Sequence, residues 1–102
     1  MAYYSIQNIP LTDLAKEFGT PLYVYDADKI REKISVLRQA FAGIDLTIKY
    51  AAKANTNLSI LRLMRDNGVD MDVVSPQELE LGLIAGYEGS HITFTPSGVH
   101  FS

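Results

Sequence analysis

At 102 residues the chain is long enough for one small domain, which would bury roughly two-thirds of its unfolded surface. Its 47% hydrophobic and 21% charged residues are those of an ordinary soluble globular protein. Nine Lys/Arg against twelve Asp/Glu give a net charge of −3 without any basic run, which argues against nucleic acid and anionic membrane as partners.

The absence of cysteine removes disulfides, thiol catalysis and Cys-ligated zinc together, and fits a reducing cytoplasm. No apolar run approaches the ~20 residues needed to span a bilayer. The start, MAYYSIQNIP, lacks the basic head and apolar core of a secretory signal. With His91 and His100 as the only histidines, no metal-ligand set is expected.

Thr12 is the expected N-cap of a first helix, with Leu14, Ala15 and Phe18 as its apolar side and Gly19 as its stop. After Thr20-Pro21, the run Leu22-Tyr23-Val24-Tyr25 predicts a short strand rich in β-formers. Asp26 then caps a helix from Ala27 to about Ala42, where Ile30, Ile34, Leu37 and Phe41 recur at helical spacing and Gly43 stops it.

Leu46 to Ala54 reads as a second strand. Asn57 caps a helix carrying Leu58, Ile60, Leu61, Leu63 and Met64, ended by Gly68. Asp70 to Val74 is a third strand. Ser75-Pro76-Gln77-Glu78 opens a helix whose predicted face includes Leu79, Leu83 and Ile84, and Gly86 ends it. His91 to Thr95 is the last strand.

From residue 46 onward the order is strand, helix, strand, helix, strand. This alternation predicts an α/β structure with parallel strands joined by helical crossovers, either doubly wound or a (β/α)8 barrel. A closed barrel takes ~250 residues, so this chain is expected to supply only its first βα units.

Within YAAKANTN (50–57), alternation puts Leu46, Ile48, Tyr50, Ala52 and Ala54 on one strand face. Thr47, Lys49, Ala51 and Lys53 form the other, which would point into a barrel. Lys53 is the last of that set and falls at the C-terminal end of its strand, the end that carries active sites in parallel α/β proteins. Partial desolvation there would favour the free amine, which captures a carbonyl as a Schiff base. The plainer alternative is a lysine that snorkels from a strand end to solvent. Lys49 shares the parity but sits lower in the strand, where a structural pairing is expected.

A second constellation follows. Asp72 near the end of the next strand could sit beside a strand-end lysine, or be a solvated turn residue. Ser75-Pro76-Gln77-Glu78 has the form of a capping box, with Glu78 reaching back to the amide of Ser75. The helix N-termini after both strands point partial positive charge toward the same end, but no GxGxxG or Walker motif accompanies them. His91 lies at the start of its strand and His100 in the tail, so neither is expected to be catalytic.

TPLYVYD (20–26), YAAKANTN (50–57), DVVSPQELELGLIAG (72–86) and ITFTPSGV (92–99) together resemble the N-terminal part of fold-type III pyridoxal-phosphate enzymes, most closely diaminopimelate decarboxylases. The resemblance implies a (β/α)8 barrel plus a β-domain. Residues 1–26 would contribute a helix and the 22–25 strand to the β-domain, and residues 27–102 would begin the barrel. It also implies Lys53 as the residue that forms an internal aldimine with pyridoxal 5'-phosphate. Asp72, Ala51 and Glu78 would lie around that cofactor. The implied reaction is decarboxylation of meso-diaminopimelate to lysine, in a homodimeric enzyme.

Ornithine and arginine decarboxylases and amino-acid racemases of the same fold type are the alternatives within enzymes. An alternative of another class is a non-catalytic α/β module that self-associates through uncovered edges and apolar faces. The family's later phosphate loops and substrate-selecting segments are not among these residues. The 102-residue chain alone is therefore expected to be inactive and to hold the cofactor weakly.

Overall fold

The computed structural model describes residues 4–95. The chain divides into two compact units, residues 1–40 and 41–102. His100 and the PSGV end of the last family-like stretch lie outside the described residues.

The first unit opens with a hairpin that sequence patterning does not reveal. Strands β1 (Ser5–Ile6) and β2 (Ile9–Pro10) pair antiparallel, with Ile6 opposite Ile9. Gln7 and Asn8 turn the chain at φ +51° and +65°, the left-handed pair that a two-residue hairpin requires. Glutamine is a weak signal for such a turn, and Pro10 argues against a strand.

Helix α1 (Leu11–Phe18) starts one residue before the expected cap at Thr12. Pro10 occupies the N-cap position without a side-chain bond, and the Leu11 amide donates instead to the Tyr4 carbonyl at 3.0 Å. Gly19 ends the helix as expected, at φ +81°. Residues 22–25 form no strand, contrary to the sequence reading. Among the described residues they find no ladder partner, and β-forming side chains alone do not make a strand. Tyr23 is 88% exposed.

Helix α2 (Ala27–Ala40) is capped by Asp26, whose Oδ1 accepts from the amides of Asp28 and Lys29 at 3.0 and 3.3 Å. Gln7 Nε2 donates to the same oxygen at 2.9 Å. This bond, ahead of the two amides, holds the Asp26 carboxyl below its ordinary value. Of the predicted apolar stripe, Ile34 is buried and Leu37 stays exposed.

The second unit is a parallel sheet in the order β3 (Lys49–Ala51), β4 (Asp70–Val73), β5 (Ile92–Phe94). Helices α3 (Leu58–Asp66) and α4 (Pro76–Ala85) form the connections. The expected α/β alternation is thus present. Ala52, Leu61, Met71, Val73, Ala85 and Tyr87 make the core, with Met71 and Val73 of the central strand wholly buried. The helices pack on the Tyr50/Ala52 side of the sheet, the apolar face that strand alternation indicates.

Two helical expectations fare differently. Asn57 caps α3 through its side chain, which accepts from the Ser59 amide at 2.9 Å. In α4, however, Leu83 and Ile84 are exposed, and Gly82 and Ala85 face the sheet. Helix and strand approach too closely for a large residue at this contact. A Cβ on Gly82 would lie 2.7 Å from Met71 Sδ. Small residues carry the packing at this contact, while Leu79 of the predicted face does pack on the core, together with Leu81.

Candidate active site

The parallel register decides which side chains meet. Lys49 stands opposite Asp70, Ala51 opposite Asp72, and Asp72 opposite Thr93. Alternation therefore puts Lys49, Ala51, Asp70, Asp72 and Thr93 on one face, away from α3 and α4. Lys49 and Ala51 are exposed, while Asp72 and Thr93 are half-buried. As expected of it, Lys49 is paired: its Nζ donates to Thr93 Oγ1 at 2.9 Å, reaching over the central strand.

Strand β3 is shorter than the sequence suggests. After Ala51 the chain coils into a 3-10 turn over Ala52–Ala54, closed by the Asn55 amide donating to the Ala52 carbonyl at 3.1 Å. Tyr50 Oη donates to the Asn55 carbonyl at 2.8 Å and holds this exit in place. Lys53 accordingly projects from a turn at the C-terminal edge of the sheet, and strand parity does not extend to it. Its side chain is exposed, not desolvated as the sequence reading supposed. Among the described residues its amine has no hydrogen-bond or ion-pair partner.

At the same end, β4 runs into the N-terminus of α4. Ser75 is the N-cap, Pro76 follows at the first helical position, and Ser75 Oγ accepts from the Glu78 amide at 3.2 Å. The Glu78 carboxylate accepts from the Val74 amide at 3.3 Å and from the Ser75 hydroxyl at 3.2 Å. The reciprocal cap thus exists, but Glu78 reaches Val74 instead of the expected Ser75 amide. Both carboxylate oxygens are engaged at the rim of the sheet. The N-terminus of α3 also lies at this end, adding its partial positive charge.

Thr95 is the site residue that sequence reasoning missed. Its backbone amide extends the ladder to the Val73 carbonyl at 2.8 Å, and its Oγ1 donates to Asp72 Oδ1 at 3.0 Å. The signal was the parity of ITFT, which aligns Thr93 and Thr95 with Asp72 once the register is known.

The opposite end of the sheet is built differently. A cavity of about 340 Å³ opens there, lined by Arg65, Asp70, Tyr87, Glu88 and His91 among others. His91 Nδ1 lies 3.0 Å from Asp70 Oδ1, joining the starts of β5 and β4. Arg65 Nη1 donates to the Ala85 carbonyl at 2.8 Å. Tyr87 Oη donates to the Val69 carbonyl, and burial, then the charge of Asp70, raise its phenol to about 12. His91 lies far from the Lys53 end, as its place at the start of its strand implies. Among the described residues no cluster of His, Cys, Asp or Glu could hold a metal ion, and no helix is long and apolar enough to cross a membrane.

A parallel α/β sheet with a lysine just past the C-terminal end of a strand is an arrangement that can present an amine to a carbonyl ligand. Residues 27–99 match the pyridoxal binding domain of the pyridoxal-dependent decarboxylases, and the chain belongs to that family. The diaminopimelate decarboxylase of Methanothermobacter thermautotrophicus is 43% identical over 89 residues, covering 85% of this chain and 21% of that relative. The Streptomyces coelicolor diaminopimelate decarboxylase is 52% identical over 77 residues, covering 76% and 16%. The crystal structure of diaminopimelate decarboxylase from M. jannaschii in co-complex with L-lysine matches with a TM-score of 0.83 at 34% identity, covering 90% of this chain and 23% of that one. The chain spans about a fifth of the length of these relatives.

The residues present fit the cofactor that the family name states. Lys53 offers a free-standing primary amine, Ala51 a side chain of minimal bulk, and Asp72 a carboxylate on the adjoining strand. Aldehyde capture needs the first, and a flat aromatic ring needs space beside it.

Proposed function

We propose that these 102 residues are the N-terminal, lysine-bearing part of a pyridoxal-phosphate-dependent diaminopimelate decarboxylase, which converts meso-diaminopimelate to L-lysine and carbon dioxide in lysine biosynthesis. The observation that carries this reading is the Lys53 amine, exposed and unpartnered among the described residues, two residues past the end of the strand that bears Ala51 opposite Asp72.

Lys53 would hold the cofactor through its amine, a group that can also carry a proton. Asp72 supplies negative charge on the adjoining strand, and Ala51, its register partner, leaves room beside it. Glu78, held by the α4 cap, forms the rim. When bound, pyridoxal phosphate supplies an electron sink for the electrons left as carbon dioxide departs. The exposure of Lys53 in this chain supports a site completed, and dried, by further protein.

In this reading β3, β4 and β5 are the first strands of a (β/α)8 barrel that spans residues 27–102 and beyond, while residues 1–26 serve a β-domain. The exposed Leu83, Ile84 and Phe94, with the edge strands β3 and β5, support self-association or a homodimer. A cytoplasmic location suits a cysteine-free biosynthetic enzyme.

A chimera tests the proposal. These residues replace the matching segment of the Methanothermobacter thermautotrophicus relative, and carbon dioxide and lysine are measured with meso-diaminopimelate as substrate. Pyridoxal-phosphate-dependent lysine formation that Lys53→Ala abolishes is expected. A folded chimera that binds the cofactor elsewhere and forms no lysine overturns the assignment.

A further inference from the structure

The carboxylate of Asp72 is held from one side only. On the β3 side its register partner is Ala51, whose methyl group can donate nothing. On the β5 side its register partner Thr93 accepts from Lys49 Nζ at 2.9 Å and makes no bond to Asp72 among the described residues. The one side-chain donor that reaches Asp72 among the described residues is Thr95 Oγ1, at 3.0 Å from Oδ1. Asp72 Oδ2 has no partner among them.

Thr95 is well placed for this because its position is not free. Its amide donates to the Val73 carbonyl at 2.8 Å, so the strand ladder fixes the backbone that carries the hydroxyl. One level below, the Lys49–Thr93 bond ties β3 to β5 over the face of β4. A carboxylate on a strand has several rotamers open to it. Fixing one oxygen by a hydrogen bond to a charged acceptor selects among them, because such bonds are stronger than neutral ones. With Oδ1 held by Thr95, the carboxylate keeps one orientation on the face that also bears Ala51.

We infer that Thr95 is a positioning residue: its hydroxyl holds the Asp72 carboxylate in one orientation on the face of the sheet that would receive the cofactor. This inference rests on the proposed function, since it gives Asp72 work only if Lys53 takes the cofactor. Thr95 itself touches neither substrate nor cofactor in this account. It acts through Asp72.

The test uses pyridoxal phosphate as the probe on the 102-residue chain. Borohydride reduction fixes the adduct, and peptide mass mapping gives the fraction on Lys53 relative to Lys16, Lys29, Lys33 and Lys49. Thr95→Val, close in shape but without the hydroxyl, is expected to lower selective Lys53 labelling by about tenfold, the effect of losing one hydrogen bond to a charged acceptor. Thr95→Ser is expected to restore it. On an Asp72→Ala background, Thr95→Val is expected to change nothing further.

Circular dichroism shows whether each variant is folded, and Thr95→Ala replaces the valine variant should that one fail to fold. Unchanged labelling in a folded hydroxyl-free variant overturns the inference and leaves the proposed function standing. So does a loss that persists without Asp72. Absence of selective Lys53 labelling in the unaltered chain overturns this inference, whereas the functional reading stands or falls with the chimera.

Discussion

Ala51 and Asp72 face each other across β3 and β4, in parallel register, on the face of the sheet that α3 and α4 leave open. The pairing of a methyl group with a carboxylate leaves room on one strand and places charge on the next. It is the relationship from which the candidate site is built.

Ala51→Leu tests that room. The side chain is exposed, so the substitution adds no buried volume and should shift stability by no more than about 0.5 kcal/mol. It should nevertheless shield Asp72 and crowd the approach to Lys53. Selective labelling of Lys53 by pyridoxal phosphate is expected to fall severalfold, with the melting temperature nearly unchanged. Equal labelling would show that the space beside Ala51 is not used.

Much of this arrangement was legible in the sequence, and the exceptions share a cause. Alternation separated the faces of β3 correctly over Lys49–Ala51, because that face is set by burial against helices, whereas Leu46 and Ala54, read onto the apolar face, lie outside the strand and are exposed. It failed at Lys53, because the chain leaves the ladder after Ala51 and period-two logic ends with the ladder. The caps at Asp26, Asn57 and Ser75 were readable, since a capping side chain acts on its own neighbours. The β1–β2 hairpin, the small-residue face of α4 and the Thr95–Asp72 bond were not, since each depends on a partner that only the fold supplies.

Glu78 separates a structural role from one at the site. Its carboxylate bonds the Val74 amide and the Ser75 hydroxyl, so Glu78→Ala should destabilise the second unit by about 1 kcal/mol, as should Ser75→Ala. Because the two residues share one cap, the double variant should lose less than the sum. Denaturant titration of the four proteins reads this directly. Full additivity would mean that the two side chains act independently.

Gly82 is expected to be intolerant although it lies within a helix. Replacing glycine there gains up to about 1 kcal/mol in helix propensity, but the new side chain meets Met71 Sδ in a wholly buried contact. Overpacking costs about 1–3 kcal/mol, and a β-branched residue adds to it. Gly82→Val should therefore destabilise by about 2 kcal/mol, and Met71→Ala on the same chain should cost less than it does alone. A valine variant as stable as the parent would refute the close approach of α4 to β4.

Tyr87 gives the second unit a defined alkaline limit. Its phenol is pushed up to about 12 by burial, against an ordinary value near 10 in the unfolded chain. The folded state therefore keeps its proton longer than the unfolded state does. Stability from this group is complete below pH ~10 and falls as pH rises from there toward 12, by at most about 1.4 kcal/mol per pH unit. Tyr87→Phe should remove that pH dependence. At neutral pH it should cost about 1 kcal/mol, because the Val69 carbonyl loses its donor. Denaturation curves at pH 8 and 11 for both proteins check the sign.

The central claim is that Lys53, and no other lysine, is the amine that takes pyridoxal phosphate. Reduction of the cofactor-treated 102-residue chain with borohydride, followed by peptide mapping, tests it most directly. The account predicts a pyridoxyl group concentrated on Lys53. Labelling spread evenly over Lys16, Lys29, Lys33, Lys49 and Lys53 would contradict it.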